Sequence, residues 1–250
     1  MIMKIFSILL LVICFNTYSQ DTIDTVKRAR KFSISTSGNY SSGNVNRFLL
    51  SANTGYKIEN KKSDYDASFA FKYGSQDNSL REEEFDFITS AKVFKHKIFY
   101  AIGFAELHRS YKRSINYQHG IGIGFGKCLI NKEFSKLSVS FALLNQTTDY
   151  SKIDDDLFLH RFSVRIKGKS YINKTYFKYL IWYQPAIELK TVSTSLYMEY
   201  NIPLFKSLFL NVSYLIEYDN LVVEDVKPLD NILLFGMKID FNTLKSKPKQ

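Results

Sequence analysis

Residues 45–73 read VNRFLLSANTGYKIENKKSDYDASFAFKY, and their alternation decides the fold class. Phe48, Leu50, Ala52, Thr54, Tyr56 and Ile58 recur at every second position, interleaved with Arg47, Leu49, Ser51, Asn53, Gly55 and Lys57. A polar turn at 59–63 follows. Then Tyr65, Ala67, Phe69, Phe71 and Tyr73 alternate with Asp64, Asp66, Ser68, Ala70 and Lys72. Successive side chains of a strand point to opposite faces, so this is a hairpin with one apolar and one charged face. A soluble sandwich would bury the apolar face. A membrane barrel turns that face to lipid and keeps the charged face in its lumen.

The same period runs along most of the chain. Segments near 82–94, 134–148, 157–167, 191–202, 208–218 and 230–241 each carry one apolar face. Weaker strands are expected near 32–41, 98–109 and 175–188, where facing is left open. Pro185 offers no ladder N–H, so it marks a strand end or bulge. One further strand sets Tyr117, His119, Ile121, Ile123 and Phe125 against Gly120, Gly122, Gly124 and Gly126. Four glycines at period two cannot pack a core, but they suit a wall with crowded neighbours. The expectation is that they face inward and make room in the lumen, where bulky Arg161, Arg165 and Lys167 share their side; the alternative is that they only permit a bend in the strand. A dinucleotide fingerprint is excluded, because no helix follows. The total is twelve strands, and the fold class expected is an all-β, transmembrane, antiparallel up-and-down barrel over 32–241.

Targeting and composition agree with export. Lys4 precedes an apolar run over 5–15, and Thr17 and Ser19 have the spacing of a cleaved leader over 1–19. A polar lead-in over 20–31 and a basic periplasmic tail over 242–250 complete the domain plan. The apolar run is shorter than the about 20 residues a spanning helix needs. Cys128 is the one cysteine after the leader, which excludes an internal disulfide and a zinc cluster. The formal net charge of +10 is spread over turns and strand faces, so no nucleic acid is expected as a partner. Connections at 59–63, 95–97, 127–133, 167–174 and 203–207 sum to +8, and those at 75–84, 110–116, 149–156 and 219–229 to −6. That alternation of sign is read as an alternation of membrane side.

Ser42-Gly43-Asn44, the alternating glycines, Tyr183-Gln184-Pro185, Glu217-Tyr218-Asp219 and a last strand from Asp230 to Phe241 together carry a resemblance. The chain resembles domain-of-unknown-function family 481, the salt-induced outer-membrane protein-like barrels of Gram-negative bacteria. The resemblance implies a barrel in the cell outer membrane and supplies no catalytic residues. A terminal aromatic is the usual signal for barrel-insertion machinery, and here the chain continues nine residues past Phe241.

The residues expected to line the lumen are Asp64, Asp66, Lys72, Glu84, Asp86, Gly120, Gly122, Gly124, Gly126, Arg161, Arg165, Lys167, Glu199, Glu217, Lys238 and Asp240. Those expected to face lipid are Phe48, Leu50, Tyr56, Tyr65, Phe69, Phe71, Tyr73, Phe85, Phe87, Ile121, Ile123, Phe125, Phe162, Leu210, Val212, Tyr214, Phe235 and Phe241. The lumenal charges would form either an ion-paired plug or a narrow pore. His108, His119 and His160 are the residues with acid–base chemistry, but no Ser/His motif supports them. Asp154, Asp155 and Asp156 lack the alternate spacing of a calcium loop. No catalytic residue, metal or cofactor is assigned. The expected function is a structural or narrow charge-lined channel barrel with no catalysis; the alternatives are an outer-membrane lipid-modifying enzyme of phospholipase or lipid A hydrolase type and a soluble periplasmic β-sandwich binding protein. Outer-membrane lipids and the insertion machinery are the expected partners, and the chain is expected to be a monomer.

Overall fold

The structure, a computed structural model, describes residues 29–41, 46–95, 98–188, 190–223 and 226–244. Twelve antiparallel strands close on themselves: β1 Ala29–Ser41, β2 Arg47–Glu59, β3 Ser63–Gln76, β4 Ser79–Val93, β5 Phe99–Ser110, β6 Ile115–Asn131, β7 Ser135–Tyr150, β8 Leu157–Ile172, β9 Thr175–Pro185, β10 Val192–Pro203, β11 Leu208–Asp219 and β12 Leu229–Leu244. Each strand pairs with its sequence neighbours, and β1 closes the ring on β12 from Ala29↔Leu244 to Gly38↔Phe235. Closure leaves no unpaired edge and removes the sandwich alternative. Ala29 lies beside Leu244, so the first and last described residues share one end of the barrel, called here the terminal end.

Several boundaries differ from the sequence expectation. β1 begins at Ala29 and β12 runs to Leu244, so the lead-in and tail give residues to the barrel. The leader over 1–19, the turn at Ser42-Gly43-Asn44 and the tail beyond Leu244 lie outside the described residues. The expected loop at 75–84 is a two-residue hairpin. Asp77 and Asn78 take φ of 49° and 62°, the left-handed pair a tight hairpin requires. Likewise β8 extends to Ile172, and only 173–174 turn the chain. Glu82, Glu84, Lys167 and Lys169 are therefore strand residues, so much of the charge assigned to connections belongs to the barrel wall.

The outer face is apolar, with aromatic belts at both ends. Phe32, Tyr56, Tyr65, Phe99 and Phe241 are exposed toward the terminal end. Tyr40, Phe48, Tyr73, Tyr117, Phe158, Tyr183 and Tyr218 are exposed toward the far end. Between them lie Ile121, Ile123, Leu143, Phe162, Leu210, Phe235 and Met237. An apolar band flanked by aromatic girdles is the surface a lipid bilayer requires.

Two glycines bend the wall. An added Cβ on Gly124 would overlap the Phe141 carbonyl oxygen and lie 2.6 Å from Ala142 Cα on β7. One on Gly236 would overlap the Thr36 carbonyl oxygen and lie 2.5 Å from Ser37 Cα on β1. The two corners, β6/β7 and β12/β1, are six strands apart around the ring. At both, the neighbouring backbone occupies the space a side chain would need.

Candidate functional site: the barrel interior

The inner face is set by strand parity, and every expected lumenal residue lies on it. Lys72 (β3) donates to Glu84 (β4) at 2.8 Å, and Ser110 (β5) donates to the other Glu84 oxygen at 3.1 Å. Asp86 meets His108 Nδ1 at 2.5 Å. Toward the far mouth, Arg47 bonds Glu82 at 2.8 Å. From the β5–β6 turn, Lys112 reaches Asp230 at 2.5 Å, and Arg113 reaches Asp230 at 3.2 Å and Glu217 at 3.7 Å. Apolar groups join this stopper: Leu49, Ile232 and Leu234 pack with Leu215, and Ile115, Tyr150 and Val223 with Leu157 and Val226. A β-bulge between Ile115 and Tyr117 accompanies the inward turn of Ile115.

A second network occupies the wall of β9–β12. Lys238 donates to Glu199 Oε1 at 2.6 Å, and Asn201 and Asn211 donate to the same oxygen at 2.9 and 3.3 Å. Lys178 approaches Glu199 Oε2 at 3.5 Å. Tyr176 donates its hydroxyl to Asp240 at 2.8 Å, while Lys169 and Lys178 sit over its ring at 4.1 and 5.1 Å. Buried charges are costly unless paired and hydrogen-bonded, and these are both.

The glycines of β6 make room, but not for the residues expected. The expected occupants were Arg161, Arg165 and Lys167 of β8; the observed ones belong to β5, the adjoining strand. Gly120 is paired with Glu106, Gly122 with Phe104 and Gly126 with Tyr100, and a Cβ at each would strike that partner's side chain. Directly paired inward residues are nearest neighbours on the sheet, so a bulky β5 residue demands a glycine opposite. This fixes the facing of β5: Tyr100, Ile102, Phe104, Glu106 and His108 point inward. Sequence periodicity could not assign it, because both faces of β5 begin apolar. The glycine row opposite was the available signal.

Space inside is uneven. Toward the far end Ser110, Leu49, Glu84 and Leu144 are buried. Toward the terminal end the inward residues Ser68 and Lys167 are exposed, and Asp66 and Arg165 are half-buried. Inward Tyr100, Tyr176, Asn201, Asn211 and Lys238, also toward the terminal end, are buried as well, so the exposed inward groups mark a vestibule beside β3 and β8 and not a wholly open end. Arg161, at the inner limit of the vestibule, is 0% exposed and spends one guanidinium nitrogen on the Gln184 carbonyl at 2.8 Å.

The histidines divide. His108 is inward and paired with Asp86. His119 is outward and stacks on Tyr117 at 6.2 Å. His160 is outward, meets Glu188 and stands edge-on to Phe158 at 4.8 Å. Asp156 accepts from the Tyr117 hydroxyl at 3.1 Å. Among the described residues, no group of three His, Cys, Asp or Glu side chains could hold a metal ion.

A closed twelve-stranded antiparallel barrel, apolar outside and charged within, defines a transmembrane β-barrel. The chain belongs to the family described as "Protein of unknown function, DUF481", which matches residues 34–241. No curated protein sequence matches it. Among solved structures, the COG4313 outer membrane channel from Pseudomonas putida F1 is similar at 9% identity, covering 90% of this chain and 99% of that one, with a TM-score of 0.49. The NanC porin is 10% identical over 86% and 100% of the two chains, with a TM-score of 0.48. The translocator domain of the autotransporter NalP from Neisseria meningitidis is 9% identical over 95% of each, with a TM-score of 0.43.

Proposed function

We propose that this barrel is a narrow, charge-lined passage for small solutes across the outer membrane, with the terminal end in the periplasm and no catalytic step. The observation that carries the reading is the uneven interior: inward Lys167 and Ser68 are exposed, whereas Ser110 at the far end and Asn201 in the β9–β12 network are 0% exposed. A purely structural barrel has no need of a water-accessible, charged vestibule. The constriction includes Lys112 and Arg113, which sit on a four-residue turn rather than on the rigid wall. Longer connections at the far end, such as 220–228 against 173–174, fit the outer side of such barrels.

The test is single-channel recording of the refolded protein in planar bilayers. Small discrete conductance steps are expected, enlarged in the Lys112→Ala/Arg113→Ala double variant. Silence in both proteins would overturn the passage and leave a structural barrel. Phospholipid hydrolysis lost on His119→Ala would instead favour an enzyme.

A further inference from the structure

We infer that the vestibule holds a binding site for oxyanions, carboxylate or phosphate, built from Lys92, Arg165, Lys167 and Trp182. β8 carries Arg161, Ser163, Arg165, Lys167 and Lys169 on its inner face, and the last three are cations on successive rungs about 6.6 Å apart. The middle of this row faces charged groups of β2–β4 across the interior. The charged groups around Lys167 are Asp66, Arg165, Lys92 and Lys57, and those around Arg165 include Asp66 and Glu106. Lys57 is committed to Glu59 at 2.7 Å. Among the described residues, no carboxylate lies within 4.0 Å of Lys92, Arg165 or Lys167. Lys92 instead sits 4.7 Å over the Tyr100 ring.

The unsatisfied atoms on β8 and β9 are all donors. Arg165 Nε and Trp182 Nε1 are buried without a hydrogen-bond partner, and so are Nε and Nη2 of Arg161. Arg165 and Trp182 are directly paired across β8 and β9, and the guanidinium lies 5.0 Å over the indole ring. That stacking holds the planar fork in place. Buried donors left unmade are costly, and water would satisfy them without neutralising the charge. Three cations share the site with only the more distant Asp66 and Glu106. A ligand with several acceptor oxygens and negative charge completes both the hydrogen bonding and the charge balance. Arginine binds carboxylate and phosphate alike through paired N–H bonds. Exposed Lys167 gives the ligand its route in from the terminal end. The site rests on the reading of the interior as a water-filled vestibule, but not on conduction through the far end.

Trp182 is the only tryptophan of the chain, so its fluorescence reports this site alone. The refolded barrel in lipid nanodiscs is titrated with citrate and with inorganic phosphate, at ionic strength held constant with sodium chloride. A saturable change is expected. The apparent Kd should rise about tenfold or more in Lys167→Gln and in Arg165→Gln, and stay unchanged in Lys61→Gln on an exposed turn. Citrate alone giving the response assigns the site to carboxylates; phosphate alone assigns it to phosphates. If Arg165→Gln fails to refold by heat-modifiable gel mobility, exposed Lys167→Gln carries the test. No saturable response to either anion, or one unchanged in Lys167→Gln, overturns the site. Binding without conductance would overturn the passage and leave the site standing; conductance without binding would do the reverse.

Discussion

Phe104 and Gly122 are paired directly across β5 and β6, and the tip of the Phe104 ring fills the space a Cβ on Gly122 would need. Gly122→Leu should therefore lose about 1–3 kcal/mol by overpacking or fail to refold. Combining it with Phe104→Ala should restore much of the loss, because the obstacle is a side chain. Ile123→Leu, on the exposed outer face, should be nearly silent. Urea midpoints and heat-modifiable gel mobility measure all three. Equal loss from Gly122→Leu with and without Phe104→Ala would show that the ring is not the obstacle.

Gly124 and Gly236 differ in kind, since their obstacles are backbone. Alanine at either position should already lower the urea midpoint clearly, and Ala142→Gly should not rescue Gly124→Ala, because the Phe141 carbonyl remains in the way. Full stability of both alanine variants would mean that the two corners of the barrel are not set by these glycines.

Much of this architecture is legible in the sequence, and the reason is physical. A membrane barrel holds its apolar face constant over every strand, so Phe48 to Ile58 and Leu208 to Tyr218 announce strand, face and environment together. What escapes is whatever depends on neighbours across the sheet. Asp77-Asn78 is a complete turn, but it is hidden among charges that continue as strand into Glu82 and Glu84. The facing of β5 emerges only once its residues are set against the glycines of β6. Trp182 meets Arg165 through the β8–β9 register, whereas Lys92 on β4 lies across the ring from them, and no spacing along the chain encodes that.

Lys72 and Glu84 form a buried pair on adjoining strands, with side chains 9% and 4% exposed. Lys72→Met should cost about 3–5 kcal/mol, because it strands a carboxylate in a dry interior. The double variant Lys72→Met/Glu84→Gln should cost less than the sum of its single changes. Lys72→Arg should not be silent either, since the fork of arginine does not fit a site built around a compact ammonium. A double-mutant cycle of urea midpoints checks the set, and strict additivity would show that the two groups do not depend on each other.

Ser68 and Phe69 are consecutive on β3 and face opposite ways, Ser68 exposed to the interior and Phe69 packed edge-on against Phe85 at 4.9 Å on the outer face. The same substitution at each therefore tests which face meets lipid. Phe69→Arg places a guanidinium in the apolar band, where it should cost about 2–4 kcal/mol near the bilayer midplane. It also removes an aromatic pair. Ser68→Arg enters the water-accessible vestibule two residues from Asp66, giving up only a long 3.5 Å bond from its hydroxyl to the Ile88 carbonyl, and should cost less than about 1 kcal/mol. Urea-induced unfolding from phosphatidylcholine vesicles gives both values on one scale. Equal midpoints, or a larger loss from Ser68→Arg, would mean that the charged face meets the lipid and the aromatic face lines the interior.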